Sequence, residues 1–172
     1  MNWEKRVVNS LLQNIDSFND DSILIAATNH HELLDPAIWR RFSTVITLEK
    51  PQKKEIEQLL RLLLKDKKNN FLENSKKLDS IVDAFYGMSH SDIKTVLFSS
   101  LRSVILTNRD TLTNCDILKD IYFHQYHNID DEDEFIIYLL SHGVTHKELN
   151  ESLEIPLRKI QSVSKSIDRK EN

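Results

Sequence analysis

The chain has 172 residues, the length of about one domain, with 40% apolar and 29% charged residues and a net charge of -4. Its two glycines, Gly87 and Gly143, are too few and too far apart for a phosphate loop of the G-x-x-x-x-G-K-[ST] or G-x-G-x-x-G kind, and with only three prolines they disfavour an all-β fold of many tight turns. The acidic balance gives no global pull toward nucleic acid, the single cysteine, Cys115, fits a reducing compartment, and no apolar run nears the roughly 18 residues of a membrane helix, so a cytoplasmic chain without a membrane partner is expected.

Lys5–Asn14 carries Val7, Val8, Leu11, Leu12 and then Ile15 at helical spacing. After the polar turn Asp16–Asp21, Ser22–Thr28 (SILIAAT) is short and apolar, which predicts a strand covered on both faces, as in a parallel sheet. A short helix is expected over Leu33–Trp39, with Asp35-Pro36 as its start signal, and a second strand over Thr44–Leu48 (TVITL). Two such strands do not make a stable sheet alone, because their edges and faces need cover. The first piece therefore reads as part of a larger sheet.

From Pro51 onward the pattern is helical. Lys53–Leu64 places Ile56, Leu59, Leu60, Leu63 and Leu64 on one face. Leu78–Tyr86 is closed by Gly87, suited to the left-handed position that ends a helix. Ser89 with Asp92 three residues on resembles a capping box and starts a helix running to about Thr107; Thr113 with Asp116 repeats that logic for a helix through about Tyr126. Asp130–Glu134, five consecutive acids, suits a solvated linker and the start of the next helix. Phe135–Ile167 divides into three helical segments at Gly143 and at Ile155-Pro156. The fold class is mainly α with a partial α/β piece: residues 1–50 α/β, 51–127 helical, and 130–172 a small three-helix tail.

The chemistry concentrates in Ile23–Phe42. A buried strand would end at Thr28-Asn29, placing an amide at the carboxyl edge where open α/β sheets bind ligands. The following helix ends in Arg40-Arg41, where its negative end favours cations and where guanidinium groups can grip phosphate bidentately. The run A-A-T-N-x-x-x-L-L-D-P-A-x-x-R-R-F resembles the sensor 1 and arginine-finger region of AAA ATPases. Arg6–Leu12 resembles the helix after that family's Walker B motif, and Gly87-Met88-Ser89-His90-Ser91-Asp92-Ile93 resembles the G-x-S-x-x-D-[IL] start of its lid helix. The resemblance runs from about Asn2 to about Tyr122.

That resemblance implies the last two strands of a parallel AAA sheet followed by a helical lid. It implies that Asn29 is the sensor positioning the attacking water, and that Arg40 and Arg41 are fingers reaching a neighbouring subunit in a ring. Such a finger is worth about 10³–10⁵ in rate. Gly87, Ser89 and Asp92 would lie near the adenine end of the nucleotide. Simpler roles stand beside these: Asn29 capping a turn, the arginines as a solvated helix end, and Ser89 and Asp92 as a helix cap beside a structural Gly87. The Walker A loop and Walker B acids of the family would precede this stretch, and sensor 2 carries no arginine, only His90 and Lys94 nearby. The chain alone is therefore expected to be inactive, with ATP or ADP and magnesium bound only when a complementary N-terminal half, in a ring of neighbouring AAA subunits, completes the site.

The tail suggests a second function. Thr145 with Glu148 caps a helix ending near Leu153, Glu154-Ile155 forms a turn, and Pro156 starts a third helix with Ile160, Val163 and Ile167 inward. This resembles helix-turn-helix units, in which Arg158, Lys159, Gln161, Ser162 and Lys165 would face a DNA major groove. Asn150 and Glu154 stand where such units carry a small residue and a turn glycine. Residues 144–172 hold six Lys/Arg against five Asp/Glu, a weak basic surface for DNA, so a protein-binding adaptor is the alternative. No metal site is expected: His124-x-x-His127 lacks an acidic or Cys partner fixed beside it, and Cys115 reads as an inert buried thiol.

Overall fold

The computed structural model describes residues 3–18, 22–129 and 131–170. It divides into two compact units, Met1–Leu48 and Glu49–Asn172.

The first unit holds α1 (Trp3–Asp16), a single 3₁₀ turn (His31–Leu33) and α2 (Pro36–Trp39). The single helix expected over Leu33–Trp39 is broken, because the ring of Pro36 disfavours helical torsions at the residue before it. Leu34 and Asp35 are extended, with ψ of 133° and 132°, and Asp35 then caps α2 by accepting from the Ala37 amide at 2.8 Å. The strands expected at 22–28 and 44–48 are absent: no β-strand forms among the described residues there. Ile23, Ile25 and Leu48 are 84–92% exposed. The physical reason is the missing cover, since a parallel strand needs neighbours at both edges and packing on both faces.

The second unit is helical throughout, apart from one isolated parallel bridge between Asn69 and Leu112. Its helices are α3 (Lys53–Leu63), α4 (Ser75–Phe85), α5 (His90–Leu106), α6 (Asn114–Tyr126), α7 (Glu132–Ser141), α8 (His146–Leu153) and α9 (Leu157–Lys170). The caps read from the sequence hold. Ser89 accepts from the Asp92 amide at 3.1 Å, Thr113 from that of Asp116 at 3.2 Å, and Thr145 from that of Glu148 at 3.2 Å; in each box the carboxylate answers the cap's own amide. Gly87 ends α4 at φ +90°. Asn74 adds an unforeseen cap that starts α4 three residues earlier than the pattern suggests.

One hydrophobic core runs through this unit. Ile56 and Leu60 of α3, Ile81 and Phe85 of α4, Ile93 and Leu97 of α5, and Ile117, Leu118 and Ile121 of α6 have no exposed surface. Full burial of each such side chain contributes roughly 1.5–3 kcal/mol. The tail continues the same core through Ile136, Leu139, Leu149 and Ile160. Tyr122 of α6 meets Phe135 edge-on at 4.9 Å and lies 5.2 Å from Tyr138, which joins α6 to α7. Polar contacts add to this docking: Lys77 bridges Asn114 at 3.1 Å and Glu148 at 2.5 Å, and the Ser80 hydroxyl donates to the His142 carbonyl. The inward positions Ile160 and Val163 are buried as expected, while the Ile167 side chain lies outside the described residues.

Candidate functional site

In the first unit the segment from Thr28 to Phe42 carries the candidate residues Asn29, Arg40 and Arg41. Thr28 folds its hydroxyl over the loop and accepts from the His30 amide at 2.9 Å. Asn29 sits at the resulting bend, exposed. His30 and His31 both lie beside Glu32, at 3.6 and 3.3 Å, contacts that are ion pairs only when the rings are protonated. α2 is anchored by Ile38, the buried apolar residue of this segment, with Trp39 and Phe42 half-buried on either side of the arginines.

The two arginines differ. Arg41 forks onto Asp16 at the end of α1: Nε donates to Oδ1 at 2.9 Å and Nη2 to Oδ2 at 3.0 Å, and Nη1 donates to the Ala37 carbonyl at 3.0 Å. The Arg41 hydrogen bond holds the Asp16 carboxyl below its ordinary value, and Asp16 raises that of Arg41. Arg40, one residue earlier, is exposed and makes no ion pair with a described residue.

In the second unit Gly87, Ser89 and Asp92 form a helix start. The Ser89 hydroxyl and amide both reach the Asp92 carboxylate, at 2.7 and 3.3 Å, and the Ser89 hydrogen bond holds that carboxyl below its ordinary value. Asp92 also lies 3.6 Å from His124 Nε2, an ion pair when that ring is protonated. Capping accounts for the Ser89–Asp92 contacts, and the His124 contact joins α5 to α6.

In the tail, Thr145, the Glu154 turn in the left-handed region at φ 57°, and α9 give a three-helix unit. Asn150 explains its own presence by donating to the Ile155 carbonyl at 2.9 Å, which closes the turn. Arg158, Gln161, Ser162 and Lys165 are exposed on α9. Lys159 is half-exposed: its ammonium pairs with Asp133 and lies 3.7 Å from Glu132, both from the acidic run that opens α7. Asp131 caps that helix by accepting from the Asp133 and Glu134 amides; Asp130 lies outside the described residues. Among the described residues no group of three His, Cys, Asp or Glu is placed to hold a metal. Burial pushes the Cys115 thiol up to about 12.

Residues that the sequence did not single out hold much of this geometry. Asp16 fixes Arg41 across 25 residues, and Lys77 joins Glu148 across 71. No local spacing signals either pair.

Residues 2–50 match the family described as ATPase family associated with various cellular activities (AAA). The chain is 35% identical over 114 residues to an uncharacterized AAA family ATPase of Sinorhizobium fredii, which covers 65% of this chain and 32% of that protein. It is 31% identical over 121 residues to a proteasome-activating nucleotidase of Saccharolobus islandicus, covering 68% of this chain and 30% of that protein. It is 27% identical over 118 residues to the ATP-dependent zinc metalloprotease FtsH 2 of Sphaerobacter thermophilus, covering 66% and 18%. The chain thus spans about a third or less of the length of these relatives.

Proposed function

Because residues 2–50 match the AAA family and AAA relatives carry that likeness over about two-thirds of the chain, we propose that this chain is the part of an AAA ATPase module that follows the phosphate loop. It supplies Asn29 as the sensor in its own site and Arg40, set by the Asp16-anchored Arg41, as the finger for the site of a neighbouring subunit. A head-to-tail contact of this kind closes into a ring. The single observation that carries the proposal is the contrast at the end of α2: one arginine is locked by Asp16, and the next is exposed and makes no ion pair with a described residue. A locked guanidinium orients the turn, and an exposed, permanently charged one is available for a phosphoryl group.

The residues present fit the terminal phosphate of ATP and not its magnesium. Asn29 offers an amide and Arg40 a planar fork for phosphate oxygens, whereas the carboxylates of this segment are placed elsewhere, Asp35 capping α2 and Glu32 lying beside His30 and His31. Magnesium, the phosphate-binding lysine and the water-polarising acid belong to the complementary half. The bound nucleotide would supply the phosphoryl group under attack; Asn29 orients the water, and Arg40 offsets the charge that develops. Gly87, Ser89 and Asp92 start the lid helix and so shape its approach to the adenine end.

The exposed Ile23, Ile25, Val45, Ile46 and Leu48 support the same proposal: in a sheet completed by another polypeptide segment, these apolar side chains would gain the cover they lack here. The second reading, a helix-turn-helix adaptor, is supported by the closed turn at Glu154 and Asn150. The Lys159–Asp133 pair favours a protein partner over DNA for it. The test of the main proposal is reconstitution: the pure chain shows no Mg-dependent ATP turnover, and mixing with a polypeptide bearing the phosphate loop and acidic pair restores it. Turnover by the chain alone overturns the proposal.

A further inference from the structure

The C-terminal half of α5 borders an open cleft of about 580 Å³ in the second unit, independent of the residues proposed for nucleotide chemistry. Phe98, Leu101 and Ile105 line it at spacings of three and four residues, which places them along one stripe of the helix. Ile105 and Leu106 are 70% and 76% exposed and Phe98 is 46% exposed, values far from those of a core stripe. From Phe98 to Ile105 the stripe is about 10 Å long at 1.5 Å per residue, the length of two turns of a facing helix.

The rim is cationic. Lys67 and Lys68, from the segment after α3, and Arg102 of α5 line the cleft, are exposed and make no ion pair with a described residue. Arg109 also lines it but turns its guanidinium to Asp116, at 2.8 and 3.1 Å. Asp110 is the acid among the lining residues. A chain of net charge -4 has thus gathered, around one apolar floor, three cations that pair with no described residue. Aliphatic side chains on that floor offer few faces for base stacking, which points away from nucleic acid and toward a peptide whose apolar stripe meets theirs. Acidic flanks on that peptide would match the rim.

We propose that this cleft is a docking site for an acidic amphipathic helix of a partner protein. Phe98, Leu101 and Ile105 receive its apolar stripe, and Lys67, Lys68 and Arg102 pair with its carboxylates.

The test uses the full chain and a fluorescent 16-residue synthetic helix with leucines at i, i+3, i+4 and i+7 and glutamates on the flanks. Anisotropy is compared with that of the same helix carrying lysines for glutamates, and of a single-stranded oligonucleotide. The glutamate helix is expected to bind at least tenfold tighter than the lysine helix, with an affinity that falls as salt rises. Lys68→Glu with Arg102→Glu is expected to reverse the preference, a gain of lysine-helix binding that a misfolded variant would not produce. Ile105→Asp is expected to weaken the glutamate helix at least tenfold. Equal binding of the two helices, a preference that survives the charge reversal, or tighter binding of the oligonucleotide overturns the proposal. Concentration-dependent self-association in sedimentation, abolished by Ile105→Asp, also overturns it by assigning the cleft to a second copy of this chain.

Discussion

Arg41 grips Asp16 with both arms of its guanidinium fork, at 2.9 and 3.0 Å, while Arg40 beside it is exposed and makes no ion pair with a described residue. This pair ties the end of α1 to the end of α2 and sets the turn from which Arg40 projects. Planar bidentate geometry makes the contact specific to arginine.

The fork is measurable by titration. Arg41 holds the Asp16 carboxyl below its ordinary value, so the pair is intact above that value and is lost as the pH falls through the depressed one. The side-chain carboxyl resonance of Asp16 is expected to titrate below the usual value of about 3.9 in the wild type and to return toward it in Arg41→Ala. The same inflection in both proteins would show that the fork is not formed in solution.

Asp116 anchors the second unit in a similar way. Its side chain is 3% exposed; it accepts from both arms of Arg109 and from the Thr113 amide and hydroxyl. Burial raises its pKa, but the hydrogen bonds from Arg109 and Thr113 outweigh that and hold it below the ordinary carboxylate value. Asp116→Ala removes a cap and strands a partly exposed guanidinium, and is expected to cost about 2–3 kcal/mol in urea unfolding. Because the folded pKa is depressed, the stabilisation is complete above about pH 4 and disappears below it. Asp116→Asn is expected to flatten the acid limb of the stability profile. A loss under about 0.5 kcal/mol, the range of an ordinary surface change, would contradict this role.

These results mark how much was legible in the residues. Cap boxes such as Ser89–Asp92 and Thr145–Glu148 were readable because both partners lie within one turn, and the apolar spacing of α3 to α6 was readable because burial repeats with the helix. The Asp16–Arg41 and Lys77–Glu148 contacts were not, since nothing local links residues 25 or 71 apart. Ser22–Thr28 and Thr44–Leu48 carry the apolar content of strands, but strand pairing is a property of neighbours that the described residues do not provide. Nor does local spacing link Lys159 to the acidic start of α7, with which its ammonium pairs.

Cys115 offers a check on the core of the second unit. It is fully buried, and desolvation pushes its thiol up to about 12. At pH 8 a thiol reagent is expected to leave it unmodified in the folded protein and to react fully in urea. Rapid labelling of the native chain would mean that α6 opens far more readily than its packing suggests.

The tail can be asked directly whether it reads DNA. With Lys159 held by Asp133 and Arg158 exposed, any duplex binding is expected to lose about one unit of salt slope in Arg158→Ala and to be nearly unchanged in Lys159→Ala. No binding at low salt would leave the tail as a protein-facing adaptor.

The central claim rests on Arg40. ATP turnover is to be measured for the chain alone, for a polypeptide carrying the phosphate loop and acidic pair alone, and for the two mixed with Arg40 intact or as Arg40→Ala. Turnover is expected in the intact mixture only, and Arg40→Ala is expected to lower it by about 10³-fold or more while co-sedimentation of the two halves persists. A mixture that turns over ATP equally well with Arg40→Ala would contradict the account.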